Sequence, residues 1–305
     1  MGHAHHHHNH IDPTAGDARV VGAIAVNVVL TLAQIAGGLL SGSLALVADA
    51  VHNLSDAASL GIALAARKIA RKPAQPSMSF GYGRAEVVAA LINYTALILI
   101  GFYLAWEAAW RFVDPTPVGG WIVVIIAGVA LMVDTVTALL TWRMAKDSVN
   151  IRAAFLHNLA DAAGSIAVIV SGVLILLFNW WIVDPIITLG IAGYILWMAL
   201  SEMPPVIRTL MLASPAGLSP EAVHAAAQDV PGVRAIHNAQ LWEMQEHQAA
   251  FHAHVVIRRG DWSRADAIKT QIKARLNRDF GITHSVLELE CAAHACTDAP
   301  RFGQA

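Results

Sequence analysis

Six stretches of the chain stay apolar for about the 20 residues that a helix needs to cross the hydrocarbon of a bilayer. They cover residues 20–40, 44–66, 87–112, 121–144, 153–178 and 181–203. Each predicts a membrane-spanning helix. From about Pro205 the pattern changes to short, mixed segments of soluble type. Ser219 is placed to cap a helix over 219–228, with Glu221 in its first turn. Residues 233–245 and 249–259 alternate as strands. Ser263, with Asp266 three residues on, opens a helix predicted over 263–280. Residues 284–290 alternate as a third strand. The order αββαβ predicts a small α+β layer of ferredoxin-like type. The chain then divides into an N-terminal tail (1–18), a six-helix transmembrane domain (19–204), a cytoplasmic α+β domain (205–291) and a flexible tail (292–305), in which no periodicity is visible.

Composition supports the membrane reading. Of the 305 residues, 56% are hydrophobic and 14% charged, where a soluble domain carries roughly 25% charged. A net charge of −2 gives no basic surface for nucleic acid. The N-terminus lacks the short basic-then-apolar pattern of a cleaved signal, so the first apolar run is expected to be a retained helix. Loop charges orient the bundle. Arg67, Lys68, Arg71, Lys72 and Arg84 lie between the second and third spans, and Arg143, Lys146 and Arg152 between the fourth and fifth. The alternate loops 41–43, 114–120 and 179–181 hold no Lys or Arg. Both termini are therefore expected in the cytoplasm. Trp110, Trp121, Trp180 and Trp181 fall at the opposite ends, where interfacial anchors belong.

One internal repeat carries the chemistry. Residues 52–58 read HNLSDAA and residues 157–163 read HNLADAA, six of seven positions being identical. One copy lies in the second span and the other in the fifth. Matching polar insertions in repeated membrane segments point to a transporter site. His52 and Asp56, like His157 and Asp161, are four residues apart, so on a helix both side chains share one face a turn apart. Two such helices supply two imidazoles and two carboxylates, a set suited to tetrahedral Zn²⁺. An Asp at mid-membrane costs about 2.5–3.5 kcal/mol. Two carboxylates, two neutral histidines and one divalent cation sum to zero charge, which offsets much of that cost. Without metal the same atoms take protons, so cation and proton compete for one site. Polar glue between helices is the bland alternative, and two pairs at identical spacing weigh against it.

Other polar positions are candidates of lower rank. Asp49 and Asp134 are pathway candidates, because an unpaired Asp in a span is costly. Asn53, Asn93 and Asn158 are expected to hydrogen-bond between helices or behind the ligands. Glu107 belongs to an outer vestibule or reaches the interface. His3, His5, His6, His7, His8 and His10 make either a native metal-gathering tail or an expression tag; Ala4 and Asn9 interrupt the run, which favours the first. Cys291 and Cys296 are too few for a disulfide framework, and metal binding is their expected use.

The motifs SLALVADAVHNLSDA (43–57), FGYGRAEVVAALIN (80–93) and SVNIRAAFLHNLADAAGS (148–165) together resemble the cation diffusion facilitator family, over nearly the whole chain. The resemblance implies a homodimeric metal–proton antiporter of a bacterial inner membrane, with His52, Asp56, His157 and Asp161 as the transport site. That ligand set is similar to the zinc-preferring branch, which exports zinc from the cytosol. The resemblance also implies a metal site in the cytoplasmic domain at His237 and His254, with His284 and Glu290 as further candidates, so that Zn²⁺ is both cargo and ligand of that domain. His224, His247 and His252 are expected at the surface. Cys291, His294 and Cys296 form a loose tail cluster, within reach of pairing with the N-terminal histidines. The loop 67–82 has no His, Asp or Glu, which leaves no donors for a metal site there. The segment between the fourth and fifth spans is short and has no histidine, as in bacterial-type members. The alternatives are the same machine with Co²⁺, Ni²⁺, Fe²⁺ or Cd²⁺ as main cargo, or a different class, a membrane metalloenzyme or metal sensor. No HExxH motif, nucleophile constellation or output domain is visible to support the latter.

Overall fold

The computed structural model describes residues 13–70, 72–142, 149–245, 248–296 and 298–303. The N-terminal histidines, Arg71, Arg143, Lys146 and His247 lie outside them. The chain folds as two compact units, one of Met1–Ala63 with Asn93–Ser201, the other of Leu64–Ile92 with Glu202–Ala305.

Six long helices lead the chain: α1 (Pro13–Ser41), α2 (Leu44–Ala70), α3 (Ala85–Trp110), α4 (Gly120–Trp142), α5 (Val149–Phe178) and α6 (Val183–Leu210). In the first unit α2 is the central element. Ala45 and Leu46 pack with Val123 and Ala127 of α4 and Val168 and Ile175 of α5. One turn round the helix, Leu44 and Ala48 pack with Leu104 and Ala108 of α3 and Ala192 of α6. Small residues let the backbones approach, as membrane packing requires: a Cβ at Gly120 would lie 2.8 Å from the carbonyl oxygen of Gly172. Leu99, Phe102, Trp106, Trp121, Leu139 and Trp197 point outward, as lipid-facing groups should. Among the described residues, stretches of α3, α4, α5 and α6 are each long and apolar enough to span a bilayer. The apolar part of α1 within that set is the shorter Val28–Ser41. α2 falls short of the apolar criterion because Asp49, His52 and Asp56 interrupt it.

The end of the unit at which α2 and α6 begin is held by a polar lock that the sequence did not announce. Asp184, in the first turn of α6 and fully buried, accepts from Ser43 Oγ at 2.5 Å and from the Leu44 amide at 2.8 Å. Ser43 Oγ in turn accepts from the Leu46 amide at 3.1 Å. Asp184 and Ser43 thus cap α2, satisfying amides that a helix start leaves orphaned and setting a negative charge at its positive end. Arg111 balances that charge at 3.8 Å, while donating to the Gly42 carbonyl and to Glu107 Oε1 at 3.4 Å. Glu107, read above as a vestibule or snorkelling group, is a partner of Arg111.

The second unit holds the loop between α2 and α3 together with the C-terminal domain. α6 runs through Pro204 and Pro205 to Leu210, so the helix outlasts the change of composition at Pro205. Beyond it come α7 (Pro220–Gln228), β1 (Val233–Gln245), β2 (Gln248–Ile257), α8 (Ala265–Phe280) and β3 (His284–Cys291). Ser219 caps α7 by accepting from the Ala222 amide. Ser263 does not cap α8. It falls in a 3₁₀ turn, Trp262–Arg264, and α8 begins only afterwards with Asp266 in its first turn. The sheet order is β1-β2-β3, antiparallel between β1 and β2 and parallel between β2 and β3. α7 and α8 cover one face through Val223, Ala227, Ile268, Ile272 and Leu276, against Phe251, Ala253, Val255 and Ile257. Strand alternation sends His252 and His254 to the other face.

The tail expected to be unstructured is docked on β1. The amides of Asn238 and Ala239 donate to the carbonyls of Pro300 and Arg301 at 2.8 and 3.1 Å, and Gly303 returns a bond to Ala239 at 3.1 Å. Arg301 Nη2 lies 3.3 Å from His224 Nδ1, whose Nε2 lies 3.1 Å from the Ile236 carbonyl. An arginine only donates, so Nδ1 accepts and Nε2–H donates, which requires neutral His224. His224 is accordingly buried rather than at the surface.

Two predictions follow from these contacts. Asp184→Ala should lower stability by about 3 kcal/mol, since it orphans a buried hydroxyl, an amide and part of a charge pair; Asp184→Asn, which keeps an acceptor, should lose less. The thermal midpoint in detergent measures both. Burial holds the His224 pKa below its ordinary 6.5, with Arg301 adding to the effect and the Ile236 hydrogen bond opposing it. The unfolded chain then binds the proton more readily, so this contribution is intact above about pH 6.5 and is lost as pH falls through the folded value. The protection of amides in α7 and at Ala239 against exchange, taken relative to the intrinsic rate at each pH, should fall between pH 7 and pH 5, and less so in His224→Gln.

Candidate metal centres

The two copies of the repeated motif lie on α2 and α5. His52 Nε2 of α2 stands 3.3 Å from Asp161 Oδ1 of α5. His52 is 6% exposed and Asp161 8%. The edge of the Tyr194 ring from α6 meets the His52 ring at 5.5 Å. One donor from each copy therefore faces the other inside the unit, at the separation two ligands of a shared small cation would have. The side chains of Asp56 and His157 lie outside the described residues.

A second layer of polar groups surrounds this pair. Gln34 Nε2 of α1 donates to Asp49 Oδ2 at 2.7 Å, and Asn53 Nδ2 donates to Gln34 Oε1 at 3.1 Å. Asp49 meets α5 where Gly164 follows the second motif: a Cβ there would lie 3.2 Å from Asp49 Oδ1. Ser165 Oγ donates to Asp134 Oδ2 at 3.3 Å, tying α5 to α4. Asn93 Nδ2 of α3 donates to Ser55 Oγ of α2 at 3.1 Å. Asp49 and Asp134 are thus buried among hydrogen-bonding partners, within electrostatic reach of each other, of His52 and of Asp161. Gln34 and Ser165 were not singled out by the sequence. A lone Gln in an apolar helix was the available signal, since buried amides in a membrane need partners.

The C-terminal domain assembles a different set. His237 and His254 are register partners on β1 and β2, with ring centroids 5.2 Å apart. Glu290 Oε1 on β3 lies 2.7 Å from His254 Nδ1 and 3.3 Å from His237 Nε2. Burial raises the Glu290 pKa, but the His254 hydrogen bond and the Cys296 amide outweigh it and leave the carboxyl below its usual range. His284 does not join this group. It begins β3 opposite Ala250, six residues from Glu290 or about 20 Å of extended strand, and its ring meets the edge of Phe80 at 6.5 Å. Cys296 takes the remaining place. The candidate ligand atoms of His237, His254, Glu290 and Cys296 all lie within 4.8 Å of one another. Glu288 is also near, its Oε2 being 3.3 Å from His254 Nε2. His252 Nδ1 is 3.4 Å from Gln240 Oε1. Cys291 Sγ stands 3.0 Å from His294 Nδ1, so these two pair with each other.

A family description, cation efflux transmembrane domain, matches residues 20–211, which contain the whole of α2 to α6 and most of α1. The chain belongs to the cation efflux, or cation diffusion facilitator, family. The description of the cation efflux cytoplasmic domain matches residues 215–291. Among cation efflux relatives, a zinc transporter ZitB of Pectobacterium atrosepticum is 35% identical, over 93% of this chain and 88% of that protein. A cadmium, cobalt and zinc/H(+)-K(+) antiporter of Bacillus velezensis is 34% identical, over 95% and 93%. A solved structure titled as the metal-bound C-terminal domain of the CzcD transporter from Cuprividus metallidurans is 23% identical, covers 24% of this chain and 99% of its own, and has a TM-score of 0.23. For this cation efflux protein, the chain Asn53–Gln34–Asp49 yields a prediction. Gln34→Leu removes a hydrogen bond to a carboxylate, worth about 1.5–3 kcal/mol, and should weaken apparent cation affinity in a flux assay by about tenfold. Gln34→Glu should not restore it, because it adds a carboxylate beside Asp49.

Proposed function

We propose that the protein exports Zn²⁺ from the cytosol in exchange for protons, binding the ion with His52, Asp56, His157 and Asp161. The observation that carries this reading is the buried approach of His52 to Asp161, one residue from each copy of the repeat. Nitrogen and oxygen donors in a four-ligand set suit zinc, and the same donors hold protons when the ion leaves. The site must release its ion, which a bundle achieves by alternating access of its helices. Asp49 and Asp134, buried nearby, extend the polar pathway, and their hydrogen bonds to Gln34 and Ser165 hold them in place when no cation does. The zinc transporter relative favours zinc as cargo. The Bacillus relative's name joins cadmium and cobalt to zinc, which makes those two the competitors to test, because affinity order alone does not choose among such ions.

The transporter lies in the bacterial inner membrane with both termini in the cytoplasm, the arrangement that the loop charges favour. It works as a homodimer, without nucleic acid and without an enzymatic step. His237, His254 and Glu290 hold a second zinc in the cytoplasmic domain.

Zinc flux into proteoliposomes under an imposed pH gradient tests the central reading. Wild-type flux should follow the gradient and compete with Cd²⁺ and Co²⁺. His52→Ala and Asp161→Ala should lose about 100-fold or more, since even partners behind a ligand cost about 10–100-fold in metal affinity. Flux that survives Asp161→Ala would point to a sensor or a metalloenzyme instead.

A further inference from the structure

We infer that Cys296 is the fourth ligand of the cytoplasmic metal site, and that metal binding there fastens the C-terminal tail as a strap across the sheet. The inference rests on the reading of His237, His254 and Glu290 as ligands and goes beyond it in the thiolate and the tail.

The first support is an unsatisfied atom. His237 is 8% exposed, and its Nε2 has no hydrogen bond of acceptable geometry although Glu290 Oε1 stands 3.3 Å away. A buried imidazole nitrogen without a partner is costly. Here it faces the same point as the Glu290 oxygen, His254 Nδ1 and the Cys296 sulfur. Those atoms lie within 4.8 Å of one another. The edges of a zinc tetrahedron with nitrogen and sulfur ligands are about 3.3–3.8 Å, so the His254–Glu290 pair at 2.7 Å has to open and the widest separation has to close by about an ångström to complete the coordination. The groups behind the ligands are also in place. The Cys296 amide donates to Glu290 Oε2 at 3.1 Å, which turns Oε1 towards the cluster. His254 Nε2 lies 3.3 Å from Glu288 Oε2, and donating there lets Nδ1 exchange its present hydrogen bond to Glu290 Oε1 for the metal. On binding, the thiol, whose sulfur is 3.4 Å from Glu290 Oε1, gives its proton to water. Two neutral histidines, a carboxylate and a thiolate balance a divalent charge. All four places are then filled by protein, the mark of a site that retains its ion.

The second support is where the tail goes next. Four residues after Cys296 it reaches Pro300, whose carbonyl accepts from Asn238, the neighbour of His237. Asn238 has a positive φ of 49°, and the β1–β2 register shifts between His237 and Gln240. The amides of 238 and 239 are thereby turned from β2 to the tail. Phe302 seats on the His224 ring at 5.4 Å, with Arg301 over its own ring at 5.2 Å. The tail is thus held on both sides of one metal ligand. A metal that draws Cys296 inward tightens the seat at Asn238, and a tail that leaves takes a ligand with it.

The test uses the full-length protein in detergent under reducing conditions, with Co²⁺ as the probe. Thiolate ligation gives a sulfur-to-cobalt charge-transfer band, which nitrogen and oxygen ligands at the transport site cannot produce. The band is expected in the wild type and in Cys291→Ser, and should be absent in Cys296→Ser and in His237→Asn. Zinc affinity at this site should fall by more than about tenfold in Cys296→Ser, because losing even an indirect partner costs about 10–100-fold. Zinc should also slow amide exchange at Asn238, Ala239 and Gly303 in the wild type but not in Cys296→Ser. Bound metal that depends on His237 but gives no band, or a band that survives Cys296→Ser, overturns the strap and leaves the cytoplasmic site standing. Absence of any His237-dependent metal overturns both.

Discussion

The fold is organised around the cost of keeping ionisable side chains inside an apolar bundle. His52 and Asp161 are each expensive to bury alone, and the architecture places them against each other, 3.3 Å apart. α2 can carry Asp49 and His52, both buried, because its first two turns pack against α3, α4, α5 and α6. The same reasoning accounts for the residues behind the pair. Gln34 satisfies Asp49 and is itself held by Asn53, and Ser165 satisfies Asp134. Asp49 and Asp134 therefore keep hydrogen-bond partners of their own inside the bundle.

The lock at the start of α2 follows from the same constraint. A central helix that begins inside the bundle brings its orphan amides with it. Asp184 reaches from α6 to cap Leu44, and Arg111 supplies the countercharge. The start of α2 is fixed by three elements, so the register of His52, two turns further on, is fixed as well.

What the sequence could and could not show divides along physical lines. Helix length and apolar content are local properties, and the six helices and the αββαβ order were legible for that reason. The approach of His52 to Asp161 was legible through the repeat, because identical spacing on two helices implies a common target. The lock at Asp184 was not, since Ser43 and Asp184 are 141 positions apart and no pattern links them. His284 was misassigned for a related reason. The resemblance offered it beside Glu290, but a shared strand does not tell distance along it, and His284 pairs with Ala250 while Glu290 pairs with Val256. Pro204 and Pro205 marked a helix end that did not occur, and Ser263 a cap that belongs to a 3₁₀ turn. The tail after Cys291 has no periodicity because it docks through carbonyls and two side chains, Arg301 and Phe302. Such docking leaves no repeat for a pattern to reveal.

The two ligand sets differ in the way their tasks require. The membrane set draws on histidine and aspartate, which exchange protons for metal near neutral pH and hold zinc, cobalt or cadmium without strong preference. Such a site can let go. The set proposed on the sheet has two imidazoles and one carboxylate, and its proposed fourth donor is a soft thiolate carried on a tail. Sulfur favours zinc and cadmium over the harder ions, and a ligand delivered by a separate segment makes affinity depend on whether that segment is seated. The hydrogen bonds from Asn238 and Ala239 to the tail therefore contribute to metal affinity without touching metal, and metal contributes to the seating of the tail without touching Pro300. By linkage the two effects are equal in free energy. With the proposed strap in place, such a domain would report metal as a change in the order of its own C-terminus, which the proposed membrane site has no segment to do.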